Sequence, residues 1–278
     1  RDVAPSRGLG DVYKRQGQLY TGWTNDPASR LHAHKSGKGA KCTRALGAQR
    51  FAYLERCTDK SAALRREAAL KKLTKAQKET LCAEWAEKNL PRLSLATRAD
   101  AAEILNIYNW YVLHHTATFQ VTPSSLPEYE DWVDSTRALI PLLLARDRDG
   151  KLLGYACAHR YHPREAYDWA VESTIYCAPD ARGFGVGDTL YRALLDILDE
   201  MGYWNVYALV ADPNPASERI HARLGFTCVG REPHTAYKFG WLGLSTWWLP
   251  LRRGNEKPEP THPLTQEQVE EILGRYQA

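Results

Sequence analysis

Hydrophobic and polar positions follow clear strand and helix periods from about residue 93 onward. Continuous or alternating apolar runs predict strands, and an apolar stripe at helical spacing predicts a helix. The predicted helices are residues 101–112, 126–136, 189–201 and 215–224. The predicted strands are residues 93–97, 140–146, 151–159, 171–177 and 205–211, with a final pair around residues 239 and 248. This order predicts a mixed α/β domain.

The charge pattern divides the chain into two parts. Residues 17–90 carry 15 Lys and Arg against 7 Asp and Glu, whereas all 278 residues sum to +4, so the remainder is slightly acidic. Such asymmetry indicates two units with different partners. We place the break near residues 89–91, after a helix-like segment at 75–88. The predicted domains are residues 17–88 and 92–252.

The two ends are expected to lie outside both domains. Residues 1–16 resemble a translated sequencing adapter and the only methionine is Met201, so we expect a sequence scar on a fragment. A genuine disordered arm is the alternative. Residues 253–278 are predicted to form a Pro-rich linker and a C-terminal helix with a Thr265–Gln268 capping box. Its apolar stripe either packs on its own protein or binds a partner.

Composition limits the class of protein and its compartment. Hydrophobic residues are 44% and charged residues 25%, as in globular proteins. Six cysteines without a C-x-x-C pair argue against a zinc ribbon or disulfide framework and indicate a reducing cytoplasm. The histidines at 114, 115, 159 and 162 have no metal-ligand spacing, so no zinc is assigned. No apolar run is long enough to span a membrane, and we expect no membrane partner.

A glycine-rich turn, Arg-Gly-Phe-Gly-Val-Gly at residues 182–187, connects the strand at 171–177 to the helix that follows. Backbone N–H groups at a helix start point outward at the positive end of the helix dipole, which favours an anion. Glycines allow a pyrophosphate to approach the backbone, and Arg182 can add a charge-assisted contact. A plain tight turn is the alternative interpretation.

The residues around this turn resemble the GCN5-related N-acetyltransferase (GNAT) superfamily, in particular its phosphinothricin and methionine-sulfoximine acetyltransferases. The Arg-x-x-Gly-x-Gly pattern is that superfamily's acetyl-CoA pyrophosphate loop. The resemblance covers about residues 92–252. Matching segments are Ala96-Thr97, Ile107-Tyr108-Asn109, Thr116-Ala117-Thr118-Phe119, Val171-Glu172-Ser173-Thr174-Ile175-Tyr176, Asn214, Ser217, His221, Leu224-Gly225-Phe226 and Tyr237-Lys238-Phe239-Gly240-Trp241.

The resemblance implies a GNAT fold with a mixed, mostly antiparallel central sheet, flanking helices and acetyl-CoA as cofactor. In that fold two adjacent strands splay apart, and the pantetheine arm of the cofactor pairs with one of them like an extra strand. The implied cofactor-binding residues are Ile175, Tyr176, Cys177, Arg182, Gly183, Phe184, Gly185, Val186, Gly187, Asp188, Asn214 and Ser217.

Glu172 and His221 are the predicted catalytic residues. Acetyl transfer needs an unprotonated amine, so a general base helps. Alternation places Glu172, Thr174 and Tyr176 on one face of a strand, where a carboxylate among apolar residues needs a role or a partner. The resemblance makes Glu172 the base, and a structural salt bridge is the alternative. His221 stands where the superfamily has a proton-donating tyrosine, and it either donates to the departing thiolate or is a structural hydrogen-bonding group.

The predicted acceptor is the amino group of an amino acid or an analogue such as phosphinothricin or methionine sulfoximine. The predicted pocket draws on Thr116, Phe119, Tyr155, Tyr167 and Trp169, although aromatic residues near a cofactor channel are more often core. The sequence leaves open the physiological acceptor and a homodimer.

Residues 17–88 resemble a small GIY-YIG nuclease domain of the single-domain bacterial type. The matching residues are Leu19-Tyr20-Thr21-Gly22-Trp23-Thr24, Arg30, His34, Gly37-Lys38-Gly39-Ala40-Lys41, Thr43-Arg44 and Glu67-Ala68-Ala69-Leu70-Lys71-Lys72-Leu73. The resemblance implies a small α+β domain and a site of Tyr20, Arg30 and Glu67, with Glu67 binding Mg²⁺.

The strand that carries the family's first tyrosine is expected to be missing. The nearest candidate, Tyr13, lies inside the suspected scar. We therefore expect a truncated, inactive domain whose basic surface binds DNA weakly. Two alternatives remain: a structure-specific endonuclease with an accessory acetyltransferase, or a non-catalytic DNA-binding module that localises the acetyltransferase.

Overall fold

The computed structural model describes residues 9–14, 19–24, 48–55, 57–181 and 185–276. The chain divides into two compact units, Arg1–Leu90 and Pro91–Ala278. Among the described residues, no helix is long and apolar enough to cross a membrane.

The first unit combines an antiparallel sheet with two helices in its described part. The strands are β1 (Leu9–Lys14), β2 (Leu19–Trp23) and β3 (Ala48–Glu55), in the order β2-β1-β3. Helix α1 (Lys60–Lys72) begins at Asp59, whose carboxylate accepts the Ala62 N–H at 2.7 Å, and α2 (Lys75–Asn89) follows. Buried Tyr53, Leu70 and Cys82 form the core of this unit.

Strand β1 lies in the segment that was expected to be a scar or a disordered arm. It pairs with β2 from Leu9–Trp23 to Tyr13–Leu19, and it pairs with β3 on its other edge. Because β2 and β3 are not neighbours, each depends on β1 for the backbone hydrogen bonds of its inner edge. The sheet therefore requires a strand at this place in the chain.

The second unit is built on a seven-stranded sheet in the order β4-β5-β6-β7-β8-β10-β9. All neighbouring strands are antiparallel except β7 and β8, which run parallel. The predicted mixed, mostly antiparallel sheet is thus confirmed. The strands are β4 (Arg92–Leu95), β5 (Leu143–Arg146), β6 (Leu152–Arg160), β7 (Ala170–Cys177), β8 (Asn205–Asp212), β9 (Thr227–Tyr237) and β10 (Trp241–Pro250).

Helices cover both faces of this sheet. They are α3 (Ala101–His114), α4 (Leu126–Arg137), α5 (Val186–Glu200), α6 (Pro215–Leu224) and α7 (Gln266–Gly274). Helix α5 buries Leu190, Leu194, Ile197 and Leu198 in the core. Helix α7 starts at the predicted capping box and buries Val269, Ile272 and Leu273 in the same core. The apolar stripe of α7 therefore packs on its own protein.

Several boundaries differ from the predicted ones by one or more residues, and three of these differences have a clear physical reason. Helix α5 begins at Val186 rather than residue 189, because Gly185 at φ 85° lies outside the right-handed helical region and Val186 is buried. Strand β5 is shorter than residues 140–146, since Ile140 and Leu142 are buried outside the pairing. The last two strands form a hairpin whose turn contains Phe239 at φ 59°, a residue that was predicted to lie in a strand.

Candidate active site

The parallel strands β7 and β8 separate after three residue pairs. Their register runs from Ala170–Asn205 to Glu172–Tyr207 and ends there. Beyond that point β7 continues to pair with β6, and β8 continues to pair with β10. The two strands thus form a fork, with residues 173–177 on one arm and residues 208–212 on the other.

One arm of the fork presents backbone groups to the gap. Hydrogen bonds from Ala178 N to Leu153 O (2.8 Å) and from Tyr161 N to Ala170 O (3.3 Å) fix the β6–β7 register. Antiparallel alternation then directs the backbone of even-numbered β7 residues to β6 and that of odd-numbered residues to the fork. Ile175 and Cys177, both predicted to bind the cofactor arm, therefore face the gap.

Tyr176 differs from its two neighbours, because its backbone pairs with Tyr155 of β6. Its ring instead packs edge-on against Tyr111, with centroids 4.8 Å apart. The Tyr111 hydroxyl donates to the Cys177 carbonyl at 2.7 Å and so holds the end of β7 against α3. The structure thus places Tyr176 in an aromatic cluster, away from the backbone groups that face the fork.

Helix α5 begins beside the open end of the fork. Gly185 is in the left-handed region at φ 85°, and its carbonyl accepts the Thr189 N–H at 2.9 Å. The N–H groups of Val186, Gly187 and Asp188 are those that a helix leaves without an intrahelical partner. A Cβ on Gly187 would lie 3.4 Å from both Cys177 Sγ and Ile220 Cδ1, so this position is tight for any side chain. Arg182, Gly183 and Phe184 lie outside the described residues.

The carboxylate of Asp188 is used within the protein. It is paired with Arg192 at 2.7 Å and with Arg223 of α6 at 3.0 Å. These two guanidinium groups outweigh its negative charge, so the start of α5 remains attractive to an anion. Asp188 can therefore contribute its backbone N–H to a ligand while its side chain joins α5 to α6.

Asn214 and Ser217 lie at the start of α6. The Asn214 side-chain oxygen accepts the Ser217 N–H at 3.2 Å and caps the helix. The Ser217 hydroxyl lies 3.3 Å from His221 Nδ1. Both predicted cofactor contacts are thus close to α6's positive end, with part of their hydrogen-bonding capacity used by the helix itself.

His221 is buried, with 3% of its surface exposed. Its Nδ1 lies 2.8 Å from the Ser217 carbonyl, which can only accept, so Nδ1 carries the proton. Its Nε2 then accepts from the Tyr191 hydroxyl at 3.0 Å. Burial lowers the pKa of His221 to about 4, so the ring is neutral at physiological pH. Both ring nitrogens of His221 are thus engaged by groups of the protein.

Glu172 occupies the last β7 position before the fork opens. Its side chain is 22% exposed, and its Oε2 lies 3.5 Å from Nε2 of His159, the residue opposite it on β6. Tyr207 is its partner on β8. Glu172 shares a strand face with Thr174 and Tyr176, as alternation predicts.

A cavity of about 290 Å³ opens on this same face of the sheet. Its wall is mostly aromatic, and burial raises the pKa of Tyr129, Tyr155 and Tyr176, so these phenols stay protonated. The lining contains no Lys or Arg side chain among the residues that the structure describes. It consists of Tyr108, Gln120, Ser124, Glu128, Tyr129, Trp132, Thr136, Tyr155, Cys157, His159, Thr174 and Tyr176.

Tyr155 is the one member of the predicted substrate set that lines this cavity; the lining does not include Thr116 or Phe119. Tyr167 is 40% exposed and packs on His162, with ring centroids 4.6 Å apart. Trp169 donates its indole N–H to the Glu259 carbonyl at 2.7 Å and so holds the C-terminal segment. The sequence missed the α4 residues Tyr129 and Trp132, although the shared face of Glu172 and Thr174 already indicated the right side of the sheet.

Lys238, in the turn of the β9–β10 hairpin, connects the two sides of the fork. It is 4% exposed, and its ammonium donates to the Tyr111 carbonyl at 3.2 Å and to the Thr118 carbonyl at 2.9 Å. Strand β10 belongs to the β8 side, whereas Tyr111 of α3 holds the end of β7. The hairpin turn is thus bound to Thr118 and to the C-terminal part of α3, where the helix dipole favours a cation.

The predicted nuclease-like residues are only partly within the described structure. Tyr20 lies in β2, and Arg30 lies outside the described residues. Glu67 is on α1 and pairs with Lys71 one helical turn later, at 2.6 Å. Among the described residues, no three His, Cys, Asp or Glu side chains are grouped so that they could hold a metal ion.

Each of the two units matches a known family model. Residues 104–226 match the sequence model of the acetyltransferase (GNAT) family, and residues 12–80 match that of the GIY-YIG catalytic domain. A phosphinothricin N-acetyltransferase of Streptomyces viridochromogenes is 35% identical over 170 residues, which are 61% of this chain and 90% of the relative. An L-methionine sulfoximine/L-methionine sulfone acetyltransferase of Pseudomonas aeruginosa is 37% identical over 155 residues, which are 55% of this chain and 90% of the relative.

A solved structure shares the fold of the second unit. It is a GNAT superfamily phosphinothricin acetyltransferase from Sinorhizobium meliloti in complex with acetyl-CoA, with a TM-score of 0.59 and 33% identity. The alignment covers 61% of this chain and 94% of that one. The fork, the helix start and these relatives together define an N-acetyltransferase. The chain belongs to the acetyltransferase (GNAT) family.

The first prediction concerns His221 and pH. Because burial lowers its pKa from 6.5 to about 4, the folded state resists protonation that the unfolded chain accepts. The contribution to stability is complete above pH 6.5 and is lost as pH falls toward 4, by about 3 kcal/mol in total. The free energy of unfolding can be measured across this pH range by urea denaturation of the full chain, followed by tryptophan fluorescence. As pH falls, it should decrease more steeply in the wild type than in His221→Gln. His114→Gln, a variant at an exposed histidine, should keep the wild-type dependence of unfolding free energy on pH. The same dependence in all three proteins would contradict the lowered pKa of His221.

The second prediction concerns Gly185. Gly185→Val places a branched residue at φ 85° beside the anion-binding N–H groups, so acetyl-CoA affinity should fall at least about tenfold. Gly150→Val is the matched control, because Gly150 has the same φ of 85° and similarly open surroundings in the β5–β6 turn. Calorimetry should show weakened binding only for Gly185→Val. Equal affinities in the two folded variants would exclude the helix start as the binding site.

Proposed function

We propose that this chain transfers the acetyl group of acetyl-CoA to the amino group of a small amino acid or amino-acid analogue. The observation that carries the proposal is the position of Glu172. This carboxylate lies at the apex of the β7–β8 fork and on the sheet face where the adjoining cavity opens. The relatives named above, which act on phosphinothricin and methionine sulfoximine, support the same class of acceptor.

Acetyl-CoA supplies an activated thioester when it is bound. The Ile175 backbone, which faces the fork, can pair with an amide of its pantetheine arm. The N–H groups at the start of α5 suit its pyrophosphate. The described residues therefore fit this cofactor at two places, the backbone of β7 in the fork and the start of α5.

Glu172 acts on the acceptor. At neutral pH an amino acid's amine is mostly an ammonium, which has no lone pair for attack. Glu172 removes one proton and leaves a neutral amine directed at the thioester, an effect typically worth about 10²–10⁴-fold. The neighbouring cavity holds the rest of the acceptor among tyrosine rings and the hydroxyl of Thr174.

The cavity restricts the acceptor's chemistry. Its wall offers phenol hydroxyls, Gln120 and Ser124 as uncharged hydrogen-bonding groups, and Trp132 as apolar surface. An acceptor side chain with neutral polar oxygens and a short carbon chain suits this wall, as in sulfoximines and sulfones.

A second activity in the first unit is favoured by its match to the GIY-YIG model. For that unit we propose DNA binding without cleavage. The family implies Mg²⁺ on Glu67, but that carboxylate is ion-paired with Lys71 and belongs to no described cluster that could hold a metal. The residues described do not fit a dedicated metal site, and no step through Mg²⁺ is assigned.

The third prediction tests the acetyltransferase. Thiol release from acetyl-CoA should depend on an added amino-acid analogue, with methionine sulfoximine, methionine sulfone and phosphinothricin as the panel. Glu172→Gln cannot accept a proton, so kcat at pH 7 should fall about 10²-fold or more and recover partly at high pH, where neutral amine is commoner. Glu165→Gln, an exposed position in a nearby turn, serves as the control. Wild-type turnover in Glu172→Gln would remove Glu172 as the base.

The fourth prediction tests the first unit. Its excess of eight positive charges between residues 17 and 90 should attract the phosphate backbone, so binding to branched DNA should weaken steeply with salt. Glu67→Gln should leave that affinity nearly unchanged, and no nicking should accompany binding in Mg²⁺. Glu67-dependent nicking would show instead that this unit is an active nuclease.

A further inference from the structure

His159 is placed to exchange protons with Glu172 and with solvent. It is the β6 residue in register with Glu172, and its Nε2 lies 3.5 Å from Glu172 Oε2. At this separation a proton can cross after a small side-chain shift or through one water. The imidazole also lines the cavity, and its side chain is 53% exposed, against 22% for Glu172. His159 therefore connects a partly buried base to bulk water.

The other titratable groups around the cavity are poor proton acceptors. Burial raises the pKa of Tyr129, Tyr155 and Tyr176, so these phenols are already protonated. The Cys157 thiol is also buried, which raises its pKa to about 12. The Glu128 carboxylate accepts the Ser125 N–H and hydroxyl at the start of α4, and the backbone hydrogen bond lowers its pKa.

The elements packed around His159 carry few further charges in the described structure. Tyr108 of α3 lines the same cavity, and Tyr207 of β8 lies on the far side of Glu172. The neighbouring Arg160 is paired with Asp168 at 3.0 Å, and these two charges offset each other. Among the side-chain types that line the described cavity, imidazole is the one suited both to taking up and to releasing a proton.

We propose that His159 is a proton-relay residue that returns Glu172 to its ionised form after each acetyl transfer. This inference rests on the proposed function of Glu172. In the step, the acceptor ammonium loses H⁺ to a Glu172 carboxylate oxygen, and the resulting carboxylic acid passes that H⁺ to Nε2 of neutral His159. The imidazolium then releases H⁺ to solvent water or buffer. No electrons are exchanged, and one proton leaves the site per acetylated amine.

The test is chemical rescue. His159→Ala should lower kcat at least about tenfold in dilute, non-nucleophilic buffer, with little change in the KM for acetyl-CoA. Added imidazole, at fixed pH and ionic strength, should raise the kcat of this variant in proportion to its concentration. The wild type should show no such dependence. A purely structural role for His159 would not respond to small buffer molecules, because they do not restore a lost packing contact.

Two results would overturn the relay. One is a His159→Ala enzyme with wild-type kcat in dilute buffer, and the other is a slow variant that imidazole leaves unchanged. The matched control is His234→Asn, since His234 is exposed on the β9–β10 hairpin and Asn tolerates its φ of 53°. Failure of the proposed function would look different, because the wild type itself would then release no thiol with any acceptor.

Discussion

The end of the β7–β8 ladder is the constraint on which the rest of the acetyltransferase unit depends. At this point the Ser173 hydroxyl lies 3.1 Å from the Tyr207 carbonyl and 2.6 Å from the hydroxyl of Tyr191, which is fully buried on α5. Tyr191 is fixed in turn by His221. A buried hydroxyl is costly without partners, so this chain of side chains holds the apex of the fork in one geometry.

At that apex the two faces of the sheet carry different kinds of residue. Ser173, Tyr191 and His221 lie on the sheet face packed by α5, where a neutral histidine completes a hydrogen-bonded core. Glu172, one residue earlier, points to the opposite face, toward the cavity and His159. A shift of a single residue in the register would exchange these faces and bury the carboxylate against α5. Register, set by the β6–β7 pairing, thus determines that Glu172 lies on the same side of the sheet as the cavity.

The sequence predicted features that local pattern determines. Alternation placed Glu172 on the correct face, and the glycine-rich turn located a helix start. The residues of the cavity wall were harder to predict from the sequence. Tyr129 and Trp132 belong to α4, and the position of that helix depends on tertiary packing. The aromatic ring of Trp169 suggested a pocket residue, and the pattern gave no sign that its indole N–H donates to the C-terminal segment. The burial and the tautomer of His221 depend on tertiary contacts, which residue spacing does not encode.

Lys238 links the two arms of the fork at its open end. An ammonium with 4% exposure has lost most of its hydration, and burial lowers its pKa. Two carbonyls, one at the end of α3, replace part of that hydration. Because the same α3 residue, Tyr111, also donates to the Cys177 carbonyl, displacement of the hairpin would be transmitted to the end of β7. The two arms of the fork are therefore joined through α3, so that a movement of one arm would be transmitted to the other.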